Sequence, residues 1–97
     1  MGTPVVVIGL DGASFEWLRP LAREGVTPNL AALIDGGSAA PLISTMPPLT
    51  PPGWATCLTG VSPRQHGVWD FVRRASTHRY DLLPTSGSDV CAPWIWN

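Results

Sequence analysis

Residues 4–9, PVVVIG, form an unbroken apolar and largely β-branched run closed by glycine, with no polar side chain at alternate positions. A strand with one wet face alternates; a continuous run fits a strand covered on both faces, as in a parallel sheet between helix layers. The chain is therefore predicted to be α/β. Asp11-Gly12 follows as a turn at the strand's carboxyl end, which is where open parallel sheets collect ligands. A carboxylate there suits a hard divalent cation, Zn²⁺, Mg²⁺ or Mn²⁺. An Asp-Gly pair serves equally well to shape the turn, so position alone leaves both roles open for Asp11.

Local punctuation then divides the chain. Ser14 is placed to cap a helix through Glu24, whose apolar positions Phe15, Trp17, Leu18, Leu21 and Ala22 follow helical spacing. Pro20 is expected to kink that helix or end it early. Thr27-Pro28 opens a second helix, an N-cap hydroxyl followed by proline, which runs through Leu30, Leu33 and Ile34 to Gly36-Gly37. Residues 38–44 alternate loosely and read as a short second strand. Thr50-Pro51-Pro52 repeats the capping pattern ahead of a helix that Gly60 stops. Beyond Gly67 the pattern is aromatic, then polar, then turn-rich, with Asp89 positioned to cap a further helix.

Thr50 thus stands at the mouth of a helix. A capping threonine needs no other role and contributes about 1 kcal/mol of stability. The same geometry also suits a phosphoryl-accepting nucleophile, because a helix N-terminus attracts phosphate and a metal ion lowers a hydroxyl's pKa. No base adjoins Thr50 in sequence, so activation would have to come from a metal held by a residue such as Asp11.

Composition removes several classes. Six basic against seven acidic residues give a net charge of −1, and no basic cluster exceeds Arg73-Arg74, so neither a nucleic-acid groove nor an anionic membrane surface is indicated. Arg73 and Arg74 read as a solvated pair. With 44% hydrophobic and 13% charged residues the chain is globular in character and not disordered. Cys57 and Cys91 form no Cys-x-x-Cys pair and read as buried free thiols. No apolar run reaches membrane-spanning length and no signal-peptide core is visible, which leaves a cytoplasmic location as the expectation. The tryptophans Trp54, Trp69, Trp94 and Trp96 read as core or interface.

Size sharpens the architecture. At 97 residues the chain holds only two or three strand–helix units of roughly 30 residues each. Its last residues, Ala92-Pro93-Trp94-Ile95-Trp96-Asn97, carry large apolar groups and no helix stop. Residues 1–97 are accordingly read as the N-terminal segment of one larger domain, truncated, with unprotected sheet edges and a tendency to self-associate.

VVVIGLDG, then TPNL at 27–30, then PPLTPPGWATCLTGVSPRQHGVWDF at 47–71 together resemble the N-terminal part of the alkaline phosphatase superfamily. The type I phosphodiesterase/nucleotide pyrophosphatase-like branch follows roughly P-P-x-T-x-P-x-W-x-[ST]-x-x-T-G-x-x-P-x-x-H-G. Pro47, Pro48, Thr50, Pro52, Trp54, Thr56, Thr59, Gly60, Pro63, His66 and Gly67 fill that pattern in order. The resemblance implies a three-layer α/β/α sandwich with a largely parallel sheet and two divalent metal ions, usually zinc. It implies Asp11 as a ligand of one metal, and Thr50 as both a ligand of that metal and the nucleophile of a covalent phosphothreonine intermediate. The implied substrate is a phosphorylated small molecule. His66 falls in the P-x-x-H-G turn, where the family uses it structurally, and neither His66 nor His78 is read as a ligand. Gly53 replaces an asparagine that many nucleotide pyrophosphatases place near phosphate. The further Asp and His ligands of the family have no counterpart here, so the alternative is a non-catalytic relative that acts in binding. The sulfatase nucleophile motif is absent, and the sugar-kinase phosphate loop that residues 9–14 resemble has its second glycine out of register.

Overall fold

The computed structural model describes residues 2–97. The chain divides into two compact units, the first running to Leu42 and the second spanning Ile43–Asn97.

In the first unit, α1 (Phe15–Arg23) and α2 (Pro28–Gly36) pack on each other. Ser14 stands at the N-cap in extended geometry, but its side chain makes no capping bond; its carbonyl accepts the amides of Trp17 at 3.1 Å and Leu18 at 2.9 Å. Pro20 neither ends nor shortens α1, which continues to Arg23. The helix closes in a Schellman arrangement: Val26 N–H reaches Leu21 O at 3.0 Å and Gly25 N–H reaches Ala22 O at 3.2 Å. That reversal needs the positive φ of 74° at Gly25, a conformation costly for any residue with a Cβ. Thr27 does precede α2 with Pro28 at its first turn, yet its hydroxyl caps nothing: Thr27 Oγ1 is buried without a hydrogen-bond partner.

The predicted strands at 4–9 and 38–44 do not form among the described residues. An extended segment makes no hydrogen bonds within itself and becomes a strand only against a neighbour. Neither segment has one, so Val5 is 85% exposed and Ile43 94% exposed instead of buried. The parallel sheet expected from the sequence is accordingly not seen among the described residues.

The sheet that does form lies in the second unit and is antiparallel. The strands β1 (Val72–Ser76) and β2 (Arg79–Pro84) make a hairpin through the turn at Thr77-His78, with Arg73 opposite Leu83, Arg74 opposite Leu82, and an irregularity between Arg74 and Ser76. Arg74 holds the turn by donating to the carbonyls of Thr77 and Arg79, and its guanidinium lies 5.2 Å from the centre of the Tyr80 ring. Arg73 pairs with Asp89 at 2.7 Å. Asp89 was expected to begin a helix; it instead ends a short 3₁₀ turn, Gly87–Asp89, where its carboxylate accepts the Ser86 amide at 2.8 Å. That amide, and then Arg73, hold the Asp89 carboxyl below its ordinary range.

Among the described residues, all the buried ones lie in the second unit: Pro52, Ala55, Pro63, His66 and Val68. They cluster where α3 (Thr50–Thr59) meets the single turn α4 (Pro63–His66). Cys57 and Cys91 are free thiols as expected, but both are exposed and not buried.

Candidate active site

Thr50 is the first residue of α3, one position inside the cap, which Leu49 occupies. It therefore does not cap the helix with its hydroxyl as the sequence suggests; the first helical hydrogen bond runs from Gly53 N–H to Leu49 O at 3.0 Å. The next two residues are Pro51 and Pro52, which have no amide hydrogen. Of the donors that a helix N-terminus normally offers to an anion, the first turn keeps only the amides of Leu49 and Thr50. This leaves the helix dipole in place but strips the mouth of half its hydrogen-bonding capacity. A phosphoryl group there depends on groups beyond the helix amides, which agrees with metal assistance more than with an amide cradle.

Thr50 itself is exposed, so its hydroxyl is open to an incoming group. Behind it, α3 is anchored on its opposite face. Pro52 and Ala55 are buried, and Thr56 Oγ1 lies 2.8 Å from His66 Nε2 on α4. Val68 N–H donates to His66 Nδ1 at 3.1 Å. A nitrogen that accepts from a backbone amide carries no proton, so the hydrogen-bond network assigns the proton to Nε2, which donates to Thr56. Burial holds the His66 pKa below its ordinary value and keeps the ring neutral. With both nitrogens engaged and no exposed surface, His66 has no lone pair to offer a metal. His78, in the hairpin turn, is exposed.

The His66 backbone extends the anchor. Its carbonyl accepts the Cys91 amide at 2.9 Å, and further along the Ile95 amide donates to Leu58 O, in α3, at 2.8 Å. The terminal segment is thus tied to α4 through Cys91 and to α3 through Ile95. Next to it the Trp94 and Trp96 rings stack at 5.1 Å with 7° between their planes. Sequence reasoning missed the Thr56–His66 pair. The signal was present: a histidine between a Ser-Pro helix start and a glycine stop occupies the last turn of a helix, where it faces inward if the preceding helix supplies a hydroxyl.

Asp11 lies in the first unit, in the turn with Gly12, whose φ is 66°. It is exposed, as an approachable ligand must be. Zinc asks for about four donors and the harder cations for about six. Among the described residues no three His, Cys, Asp or Glu side chains converge on a point. Asp11 and Thr50, one carboxylate and one hydroxyl, do not by themselves fit a metal ion.

The model of the type I phosphodiesterase/nucleotide pyrophosphatase family matches residues 5–97, a span that holds the motif around Thr50, the turn at Asp11 and the buried His66. The chain belongs to that family. An uncharacterized pyrophosphatase/phosphodiesterase of Schizosaccharomyces pombe is 38% identical to it over 65 residues, covering 66% of this chain and 13% of the relative. The chain thus spans about an eighth of the length of the curated relative it matches. No solved structure matches it.

Proposed function

We propose that this chain contributes the nucleophile-bearing part of a phosphodiesterase or pyrophosphatase that hydrolyses phosphoric esters. The observation that carries this reading is the family match across residues 5–97, combined with an exposed Thr50 at the mouth of a helix anchored from behind. In the proposed reaction Thr50 Oγ attacks phosphorus in line. The P–O bond to the leaving group breaks, the leaving oxygen takes up a proton, and the hydroxyl proton of Thr50 is lost. Water then cleaves the phosphothreonine, restoring Thr50 and releasing the phosphorylated product.

The family is generally metal-dependent, and Asp11 and Thr50 are the residues of this chain proposed to face metal ions, two in the full site and zinc first among the candidates. Their two donors require completion by groups supplied from elsewhere. The substrate is proposed to be a phosphorylated small molecule. The incompleteness of the donor set also favours one second reading, in which the chain is a non-catalytic relative that binds without turnover.

The experiment is hydrolysis of bis(p-nitrophenyl) phosphate by the wild-type protein and by Thr50→Ala and Thr50→Ser. Loss of turnover in Thr50→Ala, partial retention in Thr50→Ser and a phosphorylated Thr50 peptide after rapid acid quench are expected. Turnover in Thr50→Ala equal to wild type removes the nucleophile assignment; no turnover in the wild type favours the binding reading.

A further inference from the structure

Thr50 and Thr56 share α3 but sit about 9 Å apart along its axis and about 120° apart around it. One faces outward, and the other is pinned to the buried His66 ring. That division has a mechanical consequence. A small roll of a helix about its axis displaces most the side-chain atoms that lie farthest from the axis. A hydroxyl carried about 4 Å from the axis moves about 1 Å for a roll of roughly 15°. Displacement on that scale matters for in-line attack, where misplacement by about 1 Å costs up to about a hundredfold in rate.

A side-chain bond made away from the axis opposes such a roll. Pro52 and Ala55 are buried on that side, and the bond from Ile95 N–H to Leu58 O near the end of α3 is a backbone bond close to the axis. Thr59 Oγ1 turns back onto Ala55 O of its own helix at 2.6 Å and accepts the Val61 amide just past the helix end at 3.4 Å. The Thr56–His66 bond is a side-chain hydrogen bond that joins α3 to α4. His66 is in turn immobilised, since its ring accepts from Val68, its carbonyl accepts from Cys91, and the Ser62 amide at the start of its helix is held by Gln65 Oε1. We propose that Thr56 and His66 are positioning residues that set the rotation of α3 and thereby the direction of the Thr50 hydroxyl.

This inference rests on the reading of Thr50 as nucleophile, and the test separates the two. Steady-state hydrolysis of bis(p-nitrophenyl) phosphate is measured for wild type, Thr50→Ala, Thr56→Val, Thr56→Ser, His66→Asn and His66→Gln. Thr56→Val keeps shape and removes the hydroxyl; Thr56→Ser restores the hydroxyl. His66→Asn keeps an acceptor for Val68 N–H, and His66→Gln keeps a donor for Thr56. Thr56→Val and His66→Asn are expected to lower kcat by about tenfold to a hundredfold with KM within a factor of about two. Thr56→Ser and His66→Gln are expected to recover most of kcat. Amide and methyl NMR shifts of residue 50 should move in Thr56→Val and return in Thr56→Ser, a readout that survives even if one of the His66 variants fails to fold. Wild-type kcat in Thr56→Val, with activity still abolished in Thr50→Ala, overturns the positioning role and leaves the nucleophile standing. Full activity in Thr50→Ala overturns both.

Discussion

The two units of this chain carry motif residues of one family, yet they are held together in different ways. The first unit contains Asp11 and has no fully buried residue among those described; its helices are closed by local devices, and its apolar segment at residues 5–8 lies open. The second contains Thr50 and all the fully buried residues, bound by hydrogen bonds between positions far apart in sequence: Thr56 to His66, Cys91 to His66, Ile95 to Leu58. Local propensity alone builds helices, but only long-range closure fixes the direction in which a side chain points. Thr50, the proposed nucleophile, sits on the part that is closed.

The contrast breaks most visibly at His66. His66→Ala removes a fully buried ring and orphans Thr56 Oγ1 and Val68 N–H, so the second unit should lose roughly 3 kcal/mol in urea unfolding followed by tryptophan fluorescence. Acid should act on the same point. His66 is harder to protonate when folded than when unfolded, so the unfolded state takes up more protons as pH falls below the ordinary value of 6.5. Stability is fully present above that pH and declines on acidification until the depressed folded pKa is passed. In His66→Gln this part of the pH dependence should vanish, and its persistence there would place the effect elsewhere.

Smaller effects sharpen the comparison. Gly60 ends α3 with φ 73°, and Gly60→Ala should cost about 1 kcal/mol by thermal denaturation, because a Cβ is strained in that conformation even where space is free. Thr27→Val in the first unit should do the reverse of an ordinary cap deletion. It removes a buried hydroxyl that makes no hydrogen bond, so stability should stay level or rise by up to about 1 kcal/mol. A loss of the size normal for a cap would show that the hydroxyl is paired in solution. Least of all, Val7→Ala should shift unfolding by under about 0.5 kcal/mol, because the side chain is largely exposed. Amide exchange provides the matching map: slow at His66, Cys91 and Ile95, and fast throughout residues 4–9.

Much of the candidate site was legible in advance because its signals are local. Pro28 and Pro51 mark helix starts, and Gly25 and Gly60 mark stops, since ring closure at φ and freedom at positive φ act within one turn, whereas the single turn Pro63–His66 was not read as a helix. The spacing from Pro47 to Gly67 carried the family. The one-residue shift of Thr50 from cap to first helical position was not legible, because a hydroxyl residue directly before a proline carries the pattern of a cap standing outside the helix. The hairpin at Val72–Pro84 was missed because Arg73, Arg74 and Arg79 obscure its alternation, and pairing across a turn is a property of two segments together.

By itself the sequence determined the three longer helices to within a residue or so, the family and the candidates Asp11 and Thr50. The tertiary structure decided which apolar residues find cover, which nitrogen of His66 carries its proton, and which face of α3 is held. The physical reason is the range of the interactions. Helix bonds close over four residues and are written into any short window, whereas a strand, a buried imidazole or a pinned helix exists only when a distant partner arrives.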